Sequence, residues 1–160
     1  MTRRITPTYT LLNQVNLTTA SSSVTFSNVP QSFADLVFVH NGAATANHGP
    51  MAYFNGDTTN SNYRRIFLYG DGNSAASTAS NDARLIEVST GIGSSIAHIL
   101  DYTAIDKHKI ALIRSSNTSL VFAQARRWGN TAAINSITIV ADAGQSFSSG
   151  TTFSLYGVVA

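Results

Sequence analysis

The sequence contains no cysteine among its 160 residues. This absence excludes a disulfide framework, thiolate catalysis and every zinc site that is built on cysteine. The chain is nevertheless long enough to fold without covalent cross-links, because a domain of this size buries roughly two-thirds of its unfolded surface. Cysteine usage therefore fits an intracellular origin, and the length fits a single domain.

Charged side chains are also scarce, at 11% of the residues, whereas soluble proteins average about 25%. The remaining surface polarity must come from serine, threonine, asparagine and glycine, which is the composition of a β-rich exterior. Ten Lys and Arg against eight Asp and Glu leave a formal net charge of only +2. Such a balance gives no strong field for nucleic acid, so we expect no direct nucleic-acid partner.

Long apolar runs are missing as well. No stretch approaches the about 18 consecutive apolar residues that a membrane span requires, so we expect no membrane partner. Polar residues follow Arg3 and Arg4 where the apolar core of a signal peptide would lie, so we predict no signal peptide. We expect such a protein to be made in the host cytoplasm and to reach an outer surface inside a particle or after lysis.

Period-two alternation of polar and apolar residues predicts strands through most of the chain. Residues 23–27 alternate in this way, and the continuous apolar run in residues 35–40 suits a strand that is covered on both faces or lies at a subunit contact. After residues 51–54, Asn55 and Gly56 form a strong turn signal because both tolerate positive φ. Further strands are predicted over residues 63–69, 83–88, 96–102, 109–114, 120–128, 134–140 and 151–158. About ten short strands predict an all-β fold, an antiparallel β-sandwich of the jelly-roll kind.

The same reading divides the chain into two parts. Residues 18–160 are predicted to form the single sandwich domain, and residues 1–17 stand apart as an N-terminal arm or an added edge strand. Residues 70–81 are small, polar and glycine-bearing, and they predict a surface loop. Helical periodicity is weak throughout.

Chemistry-bearing residues are few, and we predict no catalytic residue, no cofactor and no metal ion. None of the four histidines has metal-ligand spacing on a helix, and His98 alternates with apolar neighbours, which favours a packed or interface residue. Two alternatives stay open. Loop carboxylates could hold Ca²⁺ through oxygen ligands, namely Asp57, Asp71 and Asp82. Asp101 and Asp106 flank a turn and could form the paired carboxylates of a glycoside hydrolase.

Three arginine pairs, Arg3-Arg4, Arg64-Arg65 and Arg126-Arg127, hold six of the ten cationic residues. Adjacent side chains of a strand point to opposite faces, so one arginine of each strand pair is directed inward or into a subunit contact. The other interpretation places these pairs at strand ends in solvent. Trp128 follows the last pair, and Arg and Trp are both enriched in binding hot spots.

Three stretches resemble a family of small bacteriophage virion proteins: SVTFSNVPQSFADLVFVHNG (residues 23–42), MAYFNGDTTNSNYRRIFLYGDG (51–72) and INSITIVADAGQSFSSGTTFSLYGVVA (134–160). The resemblance covers most of residues 20–160, and GTTFSLYG in the last stretch is its most recognisable part. Proteins of this kind resemble capsid decoration (cement) proteins, and similar sequences occur at tail-fibre tips. The resemblance implies a jelly-roll-like sandwich, usually trimeric, on the outside of a virus particle, and no catalytic residues.

The expected function is therefore a virion structural protein on the capsid surface, a decoration protein that stabilises the shell by bridging subunits of the major capsid protein. Its expected partners are that capsid protein and further copies of itself, as a homotrimer. The arm could add a strand to a capsid sheet edge. The candidate residues for capsid or subunit interfaces are Arg3, Arg4, Ile5, Tyr9, Leu11, Arg64, Arg65, Arg126, Arg127 and Trp128.

Two other classes remain open. A receptor- or carbohydrate-binding module of a tail or head fibre would use the loops at residues 42–49, 57–62 and 70–81 to bind a host surface glycan. Its aromatic stacking residues would be Tyr53, Tyr63, Tyr69 and Trp128. A coat protein that encloses a genome is disfavoured because the arm carries only two arginines.

Overall fold

The computed structural model describes residues 8–47 and 49–159, and this part of the chain forms eleven β-strands and one short 3₁₀ helix, Asn60–Asn62. The strands are β1 (Tyr9–Asn16), β2 (Ser23–Phe26), β3 (Asp35–Gly42), β4 (Met51–Phe54), β5 (Tyr63–Gly70), β6 (Ala75–Ser80), β7 (Gly93–Leu100), β8 (Lys109–Ser116), β9 (Val121–Trp128), β10 (Ile137–Val140) and β11 (Thr152–Val158).

These strands form two antiparallel sheets. The large sheet has eight strands in the order β1-β11-β3-β7-β8-β9-β5-β6, and the small sheet has three in the order β2-β10-β4. The predicted all-β sandwich is thereby confirmed. Its two layers are less equal than the paired sheets of a regular jelly roll, so the small sheet and its loops pack against one face of the large sheet only.

Alternation along the central strands decides which side chains enter the core. In β9 every second residue is buried, from Phe122 through Gln124 and Arg126 to Trp128, while the residues between them are exposed. β7 and β8 alternate in the same way. Because successive side chains of a strand point to opposite faces, the large sheet has one buried face and one exposed face.

Aromatic side chains fill the space between the sheets. Phe26 meets Phe38 edge to face with ring centroids 6.2 Å apart, and Phe147 meets Phe153 at 4.9 Å. His40 lies fully buried beside the latter pair, 5.1 Å from the Phe153 ring centre, and neither of its ring nitrogens has a hydrogen-bond partner among the described residues. Burial lowers the pKa of His40 to about 4, because a charged imidazolium would be desolvated there.

The turn that follows β4 has the conformation predicted for it. Asn55 and Gly56 both have positive φ, at 53° and 72°. The Asn55 side chain donates to the Ala133 carbonyl at 2.7 Å and accepts from the Asn135 amide at 2.8 Å. The turn therefore also fixes the segment that leads into β10.

Two predictions of local structure were wrong. Residues 83–88 form no strand. Leu85 and Ile86 are both fully buried although they are adjacent, so this segment crosses the core as irregular chain with one bridge, from Arg84 to Met51. Residues 70–81 are not simply a loop, because Ala75–Ser80 pairs with β5 as the edge strand β6. Backbone pairing with an available neighbour outweighs the low strand propensity of small residues there.

The chain ends of the described part meet at the other edge of the large sheet. Residues 9–16, from the segment predicted as an arm or edge strand, form β1, which pairs with β11 alone among the described strands. Residues 1–7 lie outside the described residues. Within the part of the chain that the structure describes, no helix is long and apolar enough to cross a membrane.

Candidate functional site

The exposed side of the eight-stranded sheet, called here the outer face, is unusually apolar. Ile66, Leu68 and Leu112 are 56%, 57% and 51% exposed. Large apolar side chains at such exposure cost free energy in water, and a contiguous set of them marks an interaction surface.

Strand register arranges these residues in rows that cross the sheet. Directly opposed residues in an antiparallel sheet share a face, so each row can be followed from pair to pair. The first row is Ile66, Ala125, Leu112, His98, Val37, Tyr156 and Leu11. The second row is Leu68, Ala123, Arg114, Ile96, Val39, Ser154 and Gln14. Together they line most of a broad apolar groove with a volume of ≈ 910 Å³.

A third row carries most of the charge on the outer face. At one end Arg64 on β5 lies directly opposite Arg127 on β9, and both side chains are exposed. No acidic partner of either arginine exists among the described residues. Like charges that face each other across strands destabilise a sheet, so this cationic end lacks compensation within the domain.

The opposite end of that row is acidic. Asp35 on β3 pairs with Val158, and its carboxylate contacts the His98 ring at 2.9 Å and the Asp101 amide at 2.8 Å. Asp101 directly follows β7, and its exposed carboxylate contacts Lys107 at 3.2 Å. The outer face thus joins a cationic end to an acidic end across an apolar centre.

The inward arginines have a different role. Arg65 is 4% exposed; its Nε lies 2.8 Å from an oxygen of Asp82, and its guanidinium stacks 4.1 Å from the Phe67 ring centre. Burial acts to raise the pKa of Asp82, but hydrogen bonds from Ser80 and the Arg84 amide, with the charge of Arg65, outweigh it and hold that pKa below its usual range.

Arg126 is completely enclosed. Its guanidinium lies 4.9 Å from the Phe54 ring centre and 4.5 Å from that of Tyr63, and it donates to the Ala52 carbonyl. Burial lowers the pKa of Arg126 to about 10, because no carboxylate compensates the desolvated charge directly. The arginine joins the two sheets at a point where an apolar side chain could do the same.

Trp128 is 1% exposed and donates from its indole nitrogen to Asp57 at 2.8 Å. The Asp57 carboxylate also accepts from the Asn62 amide at 2.8 Å and from the Thr59 backbone at 3.0 Å. Burial acts to raise the pKa of Asp57, and these hydrogen bonds lower it below its usual range. Asp57 therefore ties the turn after β4 to the aromatic core.

The predicted interface residues separate accordingly. The structure places Tyr9, Leu11, Arg64 and Arg127 on the outer face, with all four exposed. The side chains of Arg65, Arg126 and Trp128 are inside the domain, where they offer no surface to a partner, and we assign them to its packing. Arg3, Arg4 and Ile5 lie outside the described residues.

The carboxylates considered for Ca²⁺ bind within the protein. Asp71 accepts from the Asn73 and Ser74 amides at 2.9 and 2.7 Å, and Asp57 and Asp82 have the partners given above. Among the residues that the structure describes, no group of three or more His, Asp or Glu is arranged to hold a metal ion. These three carboxylates thus organise their own loops.

A smaller polar cleft opens beside β5, at the end of the sandwich that the small sheet leaves uncovered. Arg84, Glu87 and Asp142 line it beside the Tyr69 ring, and Asn47 lies at its rim. Arg84 donates to the Gly49 carbonyl at 3.0 Å and lies 3.7 Å from a carboxylate oxygen of Asp142. Burial raises the pKa of Glu87 in spite of the nearby charge of Arg65.

Sequence reasoning missed the apolar residues of the outer face. The signal lay in β8, where Ile110 and Leu112 alternate with Ala111 and Ile113, so both phases of the strand are apolar. Such a strand predicts that both faces are covered. The structure covers only one of them.

No protein-family model, no curated protein and no solved structure matches this chain.

Proposed function

We propose that this protein is a bacteriophage virion structural protein that decorates the capsid exterior and stabilises it by bridging subunits of the major capsid protein. In this role it acts by binding and not by catalysis, and it acts as a homo-oligomer, a trimer in view of the family that it resembles.

One observation carries the proposal, namely the apolar outer face of the large sheet. Two rows of apolar side chains on eight adjacent strands are far more than the scattered apolar residues of a typical exterior. A domain that works alone gains nothing from such a surface. A domain that works inside an assembly uses it as an interface.

The phage assignment rests on the resemblance of residues 23–42, 51–72 and 134–160 to small virion proteins. The same resemblance favours the capsid exterior as the place of action. Nothing in the comparisons adds to that support, so the function has to be tested on particles.

The test mixes the purified protein with particles that lack it and records both binding and the temperature of genome release. A decoration protein binds until its sites are full and raises the release temperature, because a ligand of the intact shell stabilises it by mass action. Particles that bind none of the protein, or bind it without any rise in that temperature, would refute the proposal.

The polar cleft supports one second candidate, a carbohydrate-binding module of a tail or head fibre. It combines a ring, that of Tyr69, with the hydrogen-bonding groups of Arg84, Glu87 and Asp142, which is the mixture that sugars require. Tyr63 and Trp128, predicted as stacking residues, are buried and unsuited to this role.

A panel of host surface glycans, immobilised and probed with the isolated protein, tests this candidate. Binding that the substitution Glu87→Gln abolishes, but Ile92→Ala on a distant exposed turn does not, would favour the fibre over the capsid. Absence of binding to the whole panel would remove the candidate.

A further inference from the structure

We propose that the outer face of the large sheet is a self-association surface, on which a second copy of this chain lies with its cationic end against the acidic end of the first. This inference rests on the proposed function, because it names the partner of the surface that carries that function.

The size of the outer face fits a stable contact between two proteins. Eight strands spaced about 4.8 Å apart and three rows of side chains about 7 Å apart cover roughly 34 by 20 Å, or about 700 Å². Specific protein interfaces bury about 800 Å² on each partner, so one copy of this face is close to the required area.

The centre of the face has the composition of an interface core. Leu112 and Ile110 on β8, with Ile96 on β7, are between 46% and 51% exposed and carry no polar atom in their side chains. Arg114 lies between Ala123 and Ile96 in the second row, where its aliphatic stem can extend over apolar neighbours. Charged residues are depleted from the cores of interfaces in the same way.

The charges identify the partner. Arg64 and Arg127 face each other without an acidic partner among the described residues, while Asp35 and Asp101 stand at the other side of the same face. The surface is therefore complementary to itself when two copies meet in opposite directions. Lys107 offsets part of the acidic charge, but two carboxylates remain for two arginines.

Strand order makes this match geometric as well as electrostatic. β5 lies two strands from β8 on one side, and β3 lies two strands from β8 on the other. A rotation about the direction of β8 therefore carries Arg64 over Asp35, and Arg127 over the end of β7 where Asp101 follows. Contacts of this head-to-tail sense close into rings of two or three copies, and closed symmetry is the rule among soluble oligomers.

Sedimentation equilibrium of the wild-type protein between about 1 and 100 µM is the first measurement, and we expect a closed oligomer of two or three copies. Leu112→Asp should raise the dissociation constant at least 100-fold, because it places a charge at the centre of the interface. Ile92→Asp is the matched control: it makes the same kind of change on an exposed turn outside the face, and it should leave the association unchanged.

Arg127→Glu separates association from folding. In the single domain it replaces a like-charge pair by a cross-strand ion pair between Arg64 and the introduced carboxylate, so the folded monomer should keep or gain stability. In the oligomer it removes a charge that meets the acidic end, so the dissociation constant should rise about fivefold to tenfold at 50 mM NaCl. This effect should fade at 500 mM NaCl, because salt screens exposed charges.

A wild-type protein that stays monomeric at 100 µM would overturn the inference, and so would a Leu112→Asp variant that associates as the wild type does. Shell binding is measured separately on the same samples. A monomer that still binds particles would leave the proposed function standing without self-association, whereas an oligomer that does not bind particles would leave self-association standing alone.

Discussion

The two faces of the large sheet carry similar amounts of apolar side chain but meet different surroundings. The inner face packs against the small sheet, and it includes polar residues such as Arg126 and Gln124 that are enclosed with the core. The outer face is exposed, although its two apolar rows resemble a core more than an exterior. Hydrophobicity along a strand therefore shows that a face will be covered, but not whether the chain itself covers it.

The largest expected effect tests the inner face. Trp128→Ala should lower the free energy of unfolding by about 3–5 kcal/mol, because it leaves a cavity and removes the hydrogen bond to Asp57. Leu112→Ala on the outer face should change it by less than about 1 kcal/mol in dilute monomer, since little packing is lost. Urea unfolding at low protein concentration measures both. Equal losses would mean that the faces do not differ as described.

Arg126 tests whether charge is required inside the sandwich. Arg126→Ala should cost about 3 kcal/mol, because it empties the space between Phe54 and Tyr63. Arg126→Met keeps the volume and removes a desolvated charge, so the stability should stay within about 1 kcal/mol of the wild type or increase. Thermal and urea unfolding compare the two variants. A large loss with methionine would show that the guanidinium itself stabilises the fold.

His40 makes the inner face sensitive to acid. Its pKa in the folded state is about 4, below the ordinary 6.5, so the unfolded state binds the proton more readily. The stability gained by keeping His40 neutral is complete above pH 6.5 and is lost as the pH falls toward 4, by up to about 3 kcal/mol. His40→Leu should flatten this part of the stability profile measured by urea unfolding at pH 4 to 7. An unchanged slope in that variant would assign the acid sensitivity to other groups.

The smallest of these effects concerns the turn after β4. Asp57→Asn keeps the shape but weakens the hydrogen bonds from Trp128, Asn62 and the Thr59 amide, at a cost of about 1–2 kcal/mol. The control Asp106→Asn removes a carboxylate from an exposed loop and should change stability by less than about 0.5 kcal/mol. Chemical unfolding of both variants is the measurement. A cost equal to that of the control would mean that Asp57 does not tie the turn to the core.

Sequence patterns were sufficient for the fold class because strand alternation is a local property. The pairs Arg64-Arg65 and Arg126-Arg127 were expected to send one member inward or into a subunit contact, and the structure directs Arg65 and Arg126 inward. Which member turns inward depends on the register between β5 and β9, where Arg65 lies opposite Arg126. Register is fixed by contacts between distant residues, and a single sequence does not display them.

The two local errors have the same origin. Leu85 and Ile86 looked like a strand because they are apolar, yet they are buried by crossing between the sheets. Residues 75–80 looked like a loop because their side chains are small, yet β5 offered them a free edge. The outer face was missed for a related reason, since its rows join residues that are far apart in sequence, such as Leu11 and Tyr156.

The position of β11 has a consequence for how the protein is made. This last strand inserts between β1 and β3, which are both synthesised well before it. Until it arrives, the large sheet stays divided, and β1 and β3 present unpaired backbone to their surroundings. Folding must therefore finish late, after most of the chain has left the ribosome, and a truncation before Thr152 should leave an aggregation-prone intermediate where the complete chain folds.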